Sequence, residues 1–217
     1  MQNKQVKGFT LIELLIVIGI IAILATVVIL TLNPAELLRQ ARDTTRISDL
    51  DTMRSALSLY LADVSQPYVG TSTATVCYVS IDPDTATTAY APANPNGNCG
   101  GRLDTATTIT DMASSSNKRE VNGSGWIPVN LNSISSGAPI SALPVDPVAP
   151  NNAGSLAAGT GGDDMKDDRF YTYATDGLST FEVNARLEST KFASSSENDG
   201  GGSILLYEVG TDPGLNL

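Results

Sequence analysis

The chain has 217 residues, with 13 Lys+Arg against 23 Asp+Glu, a formal charge of −10 and a pI near 4.3. That acidity argues against non-specific nucleic-acid binding, the absence of His removes the commonest general base and neutral metal ligand, and two Cys exclude a Cys-rich zinc site or a disulfide-dense miniprotein. The mean hydropathy of +0.01 averages unlike parts: 16 of the 19 residues from Leu14 to Leu32 are apolar, and what remains is thin in apolar residues for a globular domain.

The first eight residues carry only positive charge, on Lys4 and Lys7. The apolar run Leu14–Leu32 follows, and as a helix it is about 28 Å long, close to the ~30 Å hydrocarbon core of a bilayer. Lys4 and Lys7, with no acid beside them, predict a cytoplasmic N-terminus, which places everything after Pro34 outside. A cleaved secretory signal would have a shorter apolar region ending in small residues; this one runs on into Asn33-Pro34 and a charged helical pattern. Glu13 interrupts the apolar segment that begins at Phe9. An intramembrane acid is expensive and reads as functional, although a carboxylate so near the end of the run would also be satisfied by reaching the interface. Position alone leaves both readings open.

Gly8-Phe9-Thr10-Leu11-Ile12-Glu13-Leu14, with its basic leader and apolar helix, resembles the type IV prepilin processing motif. In that family, which includes type IV pilins and type II secretion pseudopilins, a membrane peptidase cuts after the glycine and methylates the new amino terminus. The resemblance implies processing at Gly8 and Phe9, and loss of Lys4 and Lys7 then takes the formal charge from −10 to −12. The physics agrees with it. Gly8 lets a protease approach the backbone closely, and the Phe9 amine would be a cation at the edge of the apolar phase with Glu13 as its nearby anion. In a filament, Glu13 of one subunit would pair with the Phe9 amine of another and so set axial register, because an unpaired charge there costs on the order of 3–5 kcal/mol.

Pro34 cannot donate a backbone hydrogen bond and pushes Asn33 out of α geometry. Either one long helix bends at 33–34, or the anchor ends and Asn33 caps a second helix with Pro34 at its first position; a single bent spine is the favoured reading. Leu37, Leu38, Ala41, Ile47, Leu50, Met53, Leu57, Tyr60, Leu61 and Val64 recur mostly at three- and four-residue spacings, which predicts an amphipathic helix ending by Gln66-Pro67. Arg39, Arg42 and Arg46 are interleaved with acids, so they read as a solvated or subunit-facing stripe rather than a polybasic patch. The apolar stripe is too short and irregular for a coiled coil and is expected to pack on a sheet.

From Ser65 the texture turns to Thr, Ser, Ala, Gly, Asn and Asp. Expected strands are Val76–Ile81, Trp126–Leu131, Arg169–Thr175, Thr180–Leu187 and Ser203–Val209, with a hairpin turn at Thr175-Asp176-Gly177-Leu178-Ser179. Alternation of Phe181, Val183, Ala185 and Leu187 with Glu182, Asn184, Arg186 and Glu188 predicts one covered and one wet sheet face, the former under Leu50–Val64. The fold class is α+β: a long N-terminal helical spine, half membrane and half amphipathic, packed on a small antiparallel head with long loops. Residues 1–8 form the leader, 9–33 the membrane and filament-core helix, 34–66 the stem and 67–217 the extracytoplasmic head.

Leu143-Pro144-Val145-Asp146-Pro147, then Phe170-Tyr171-Thr172-Tyr173 and a strand ending Ala185-Arg186-Leu187-Glu188, resembles the C-terminal region of major pseudopilins and related pilins. In that group a calcium ion often pins a C-terminal loop. The nearby acids here are Asp176 and Glu182, with Asp163, Asp164, Asp167 and Asp168 before them, but calcium needs roughly six to eight oxygens and no EF-hand-like spacing supplies them. The expectation is a solvated acidic loop and no cofactor.

Cys77 and Cys99 lie in the exported part, where disulfides persist. A bond would close a loop worth roughly 3–3.5 kcal/mol in the chain-entropy model and is favoured over two free thiols, although Cys77 in a strand also reads as a buried hydrophobe. Asn122-Gly123-Ser124 matches a glycosylation sequon, a pattern short enough to arise mostly by chance. Asn151–Asp168 and Ala193–Gly202 are low-complexity and read as flexible surface loops.

Two functions compete. The first is a structural pilin-like subunit: a single-pass membrane precursor cleaved and methylated at Phe9 and then polymerised into an extracellular or periplasmic filament. Its partners would be other pilins, the prepilin peptidase, an assembly platform and membrane lipid, with no direct nucleic acid. A type II secretion pseudopilin is the alternative within that class. The second function is an enzyme or binding domain on a signal anchor; no nucleophile elbow, phosphate loop, paired-carboxylate motif or metal spacing supports it.

Overall fold

The computed structural model describes residues 8–71, 77–80, 109–110, 118–148, 170–204 and 206–212. The chain divides into two compact units, Met1–Arg39 and Gln40–Leu217. In the first, α1 spans Leu11–Leu32. Its side chains from Leu11 to Ile29 are all exposed, and they are apolar around the whole circumference except at Glu13, Gly19 and Thr26. Such a helix is stable only when lipid or other protein covers it. Thr26 satisfies its hydroxyl by donating to the Ala22 carbonyl at 2.9 Å, so it adds no unpaired polar group.

The favoured single spine gives way to its alternative. Asn33 adopts a left-handed conformation (φ 41°, ψ 75°), and α2, Pro34–Asp63, begins immediately after it. The Asn33 carbonyl accepts from Glu36 N at 3.0 Å and Leu37 N at 3.3 Å, so Asn33 starts the second helix as well as ending the first. The cause is local: Pro34 disfavours α geometry in the residue before it, and Asn is among the few residues that tolerate the left-handed region. Two helices separated by one residue replace the single bent helix.

In the second unit, α2 buries Asp43, Arg46, Leu50, Met53, Ala56, Leu57 and Tyr60, a stripe one turn wide that repeats every three or four residues. The apolar members join the core cluster with Tyr171, Tyr173, Phe181, Val183, Ala185 and Val209 of the sheet. That sheet has the order β2-β1-β3-β4-β5. Its strands are β1 (Cys77–Val79), β2 (Ile109–Thr110), β3 (Tyr171–Thr175), β4 (Phe181–Ala185) and β5 (Tyr207–Gly210). Pairing is antiparallel except for the β1–β2 pair at the edge. The predicted hairpin forms with Tyr173 opposite Val183, and Asp176 Oδ1 accepts from the amides of Leu178, Ser179 and Thr180 at 2.8–3.0 Å. This is α+β, as expected.

Four further expectations are corrected. Trp126–Leu131 is not a strand: Pro128 lacks a ladder donor, Asn130 caps a 3-10 turn at Leu131–Ser133, and only an isolated bridge joins Asn122 to Asn130. Trp126 is nevertheless fully buried and donates its indole N–H to the Pro144 carbonyl at 2.9 Å. The second sheet face is not wet. All five residues of β4 are buried, with Glu182 and Asn184 each 1 % exposed.

A polar layer lies there instead. Thr172 Oγ1 donates to Asn184 Oδ1, Asn184 Nδ2 donates to Glu182 Oε1 at 3.1 Å, and Ser203 N donates to Glu208 Oε2 at 2.8 Å. The segment Ala193–Gly202, expected as a flexible loop, packs here: α3 (Ala193–Glu197) lies against β5, and a Cβ on Gly201 would fall inside the Glu208 carboxylate. Burial and the charges of Glu182 and Asp199 push the Glu208 carboxyl up to about 8.

The fourth correction concerns the arginines. Arg42 and Arg46 are not a solvated stripe. Arg46 is fully buried, with Nε 2.6 Å from Asp146 Oδ2, Nη2 3.0 Å from Asp146 Oδ1 and 2.6 Å from Glu188 Oε1, and Nη1 2.8 Å from Asp43 Oδ1. Arg42 holds the other Glu188 oxygen at 2.6 Å, and Asp43 also accepts from the amides of Glu188 and Ser189 at 2.7–3.0 Å. Burial alone would lower the Arg46 pKa, but its carboxylate bonds more than offset this and raise it; burial would likewise raise Glu188, which the two arginines instead hold at about 2. The Leu143–Pro147 and Ala185–Glu188 segments are therefore both tied to α2 through Arg46.

Candidate functional site

Gly8, Phe9, Thr10 and Glu13 lie at the start of α1. Gly8 and Phe9 are exposed, Phe9 by 86 %. A Cβ placed on Gly8 would meet nothing within 4 Å. Among the described residues, the fold therefore makes no demand for glycine at this position.

Thr10 is extended (φ −83°, ψ 150°) and is the N-cap of α1. Its hydroxyl accepts from Glu13 N at 3.3 Å, and Glu13 Oε2 in turn accepts from Thr10 N at 2.9 Å and from the Thr10 hydroxyl at 2.7 Å. This is a reciprocal capping box, which satisfies donors that a helix N-terminus otherwise leaves open. Thr10 is not among the expected site residues, although the Thr-x-x-Glu spacing ahead of an apolar run is the signal that finds it. Glu13 is exposed and its bonds are local. Both of them fall on Oε2.

Residues 3–29 match the prokaryotic N-terminal methylation motif. The match takes in the Gly8-Phe9 junction and nearly all of α1 and stops short of α2. No curated protein and no solved structure matches the chain. The motif, together with the one helix among the described residues that is long and apolar enough to cross a membrane (Leu11–Ile29), supports a membrane-anchored, pilin- or pseudopilin-like subunit in general. Among the described residues no three His, Cys, Asp or Glu side chains gather to hold a metal.

The remaining expected residues are dispersed. Asp176 serves the hairpin turn, Glu182 lies in the buried polar layer, and Asp163, Asp164, Asp167 and Asp168 lie outside the described residues. Cys77 opens β1, but its side chain and Cys99 are also outside them, as are Lys4 and Lys7.

Proposed function

We propose that the chain is a structural subunit of a type IV pilus or related filament. It is made as a single-pass precursor with its N-terminus in the cytoplasm, cleaved after Gly8, methylated at Phe9 and polymerised through α1. The observation that carries this reading is the pairing of the motif at 3–29 with a helix that leaves its whole apolar circumference exposed. Lipid covers such a surface in the precursor and neighbouring copies of α1 cover it in the filament. Lys4 and Lys7 supply the positive-inside signal. The prepilin peptidase and an assembly platform are the implied partners, and the acidic head argues against direct DNA binding.

Cleavage turns the Phe9 nitrogen into an ammonium group one residue from the capping box. Glu13 Oε2 is already engaged by Thr10, so Oε1 is the oxygen that would receive the amine of a neighbouring subunit. Register and capping make different predictions. If Glu13 acts only as a cap, Thr10→Val and Glu13→Ala should impair filaments alike, each through about 1 kcal/mol of helix-start stability. If it sets register, Glu13→Ala abolishes filaments and Thr10→Val spares them, both variants inserting normally.

Mass spectrometry of the native N-terminus tests the class: a methylated Phe9 is expected, and a chain that keeps Met1, unaffected by Gly8→Ala, refutes it. A type II secretion pseudopilin is the second reading, favoured by the convergence of Leu143–Pro147 and Ala185–Glu188 on Arg46. Abundance in sheared surface filaments separates a major pilin from it.

A further inference from the structure

The sequon Asn122-Gly123-Ser124 is void if its Asn is buried or its Ser turned away, and neither holds. The segment 118–131 is a loop pinned from several sides: Trp126 N donates to the Lys118 carbonyl at 2.9 Å, Leu131 N to the Val121 carbonyl at 2.8 Å, and Leu143 N to the Arg119 carbonyl at 2.8 Å. Val121 is turned inward, 7 % exposed, while Glu120 and Asn122 on either side of it are exposed. Gly123 has a φ of +89°, a turn that carries the chain back so that Ser124 faces Asn122. Ser124 N and Ser124 Oγ both donate to Asn122 Oδ1, at 3.0 and 2.7 Å.

Two donors on one atom settle the orientation of the amide: the oxygen faces Ser124 and the nitrogen faces away. The hydroxyl also draws electron density toward Oδ1, which makes the Nδ2 protons easier to remove. The exposed carboxylate of Glu120, two residues upstream, gives an approaching enzyme a charge to recognise. A surface loop is where a transferase finds its acceptor, and here the amide nitrogen faces away from Ser124.

We propose that Asn122 is an acceptor for N-linked glycosylation, taking an oligosaccharide from a polyisoprenyl diphosphate carrier. Nδ2 attacks the anomeric carbon, a C–N bond forms, the C–O bond to the diphosphate breaks, the lipid diphosphate leaves, and one Nδ2 proton passes to a base of the transferase. In the cell this rests on the export of the head proposed above, since the carrier's sugar faces the outer side of the membrane.

The test uses the purified full chain in detergent with a membrane oligosaccharyltransferase and its lipid-linked sugar, read by mass of the tryptic peptide Glu120–Lys166, alongside the same peptide from chain made in cells holding that enzyme. One oligosaccharide is expected on Asn122, lost in Asn122→Gln and Ser124→Ala and retained in Ser124→Thr. No sugar on the folded chain while an unstructured sequon peptide is modified in the same reaction overturns the proposal. Conversion of Asn122 to aspartate in place of the adduct, or an adduct that survives Ser124→Ala, overturns it equally. Sugar added in the purified reaction but absent from cell-made chain supports the acceptor and faults the assumed export instead.

Discussion

Replacing Arg46 by methionine removes a buried cation while roughly preserving the stem that fills its site. Arg46 makes four charge-assisted contacts of 2.6–3.0 Å, two of them a fork on Asp146. Loss of one member of a buried ion pair costs about 3–5 kcal/mol, because the surviving charge is stranded. The stranding here is partial. Asp43 keeps the amides of Glu188 and Ser189, Asp146 keeps Val148 N at 2.8 Å, and Glu188 keeps Arg42. The lower end, about 3 kcal/mol, is therefore expected at pH 7, which for a chain of this size is about 6–12 °C in Tm.

Urea unfolding of the full chain in detergent, followed by the fluorescence of buried Trp126, measures it as a fall in midpoint at constant slope. Arg46→Lys should fall between the two, since it keeps the charge and loses the fork. The cost should also shrink with acid. Glu188 is held at about 2 against an ordinary 4.5, so its share of stability is complete above 4.5 and is lost as pH falls toward 2; with Arg46 absent, less remains to lose. A cost below about 1 kcal/mol at pH 7, or one that does not narrow between pH 7 and pH 3, would refute the argument.

On the opposite sheet face the sign reverses. Glu208 is pushed up to about 8 from 4.5, so the folded chain holds a proton that the unfolded chain releases; stability should decline as pH rises from 4.5 to 8, and Glu208→Gln should flatten that decline in a Tm-versus-pH series. Gly201→Ala should lower Tm measurably by driving a methyl into Glu208, and the effect should lessen in a Glu208→Ala background. Tyr171→Phe removes the 2.8 Å bond to Asp49 Oδ2 and should cost about 1.5–3 kcal/mol by urea denaturation, as for a hydrogen bond to a charged group.

The N-terminal helix and its start are largely legible in the sequence because their determinants are local. Helix length, the Thr10-x-x-Glu13 spacing and the Pro34 break each act within one or two turns, and the motif from Gly8 to Leu14 is contiguous. Even the misjudged join at Asn33 follows from a one-residue rule, since Pro34 constrains only its neighbour. The β3–β4 hairpin is legible for the same reason: Asp176-Gly177 closes it over five residues.

What the sequence by itself determined is thus the N-terminal apolar helix with its methylation motif, the amphipathic stem helix and the α+β class. What only the tertiary structure decided is the fate of polar residues whose partners lie far along the chain. Arg46 carries the pattern of a solvated helix face, and it is buried because Asp146, one hundred residues away, and Glu188 arrive to neutralise it. Glu182 and Asn184 carry the alternation of an exposed face, yet segment 193–203 brings Gly201 and Ser203 over that layer. Residue patterns report the burial preference of each side chain alone, and a polar group can be buried at tolerable cost only after folding has supplied its hydrogen bonds and counter-charges.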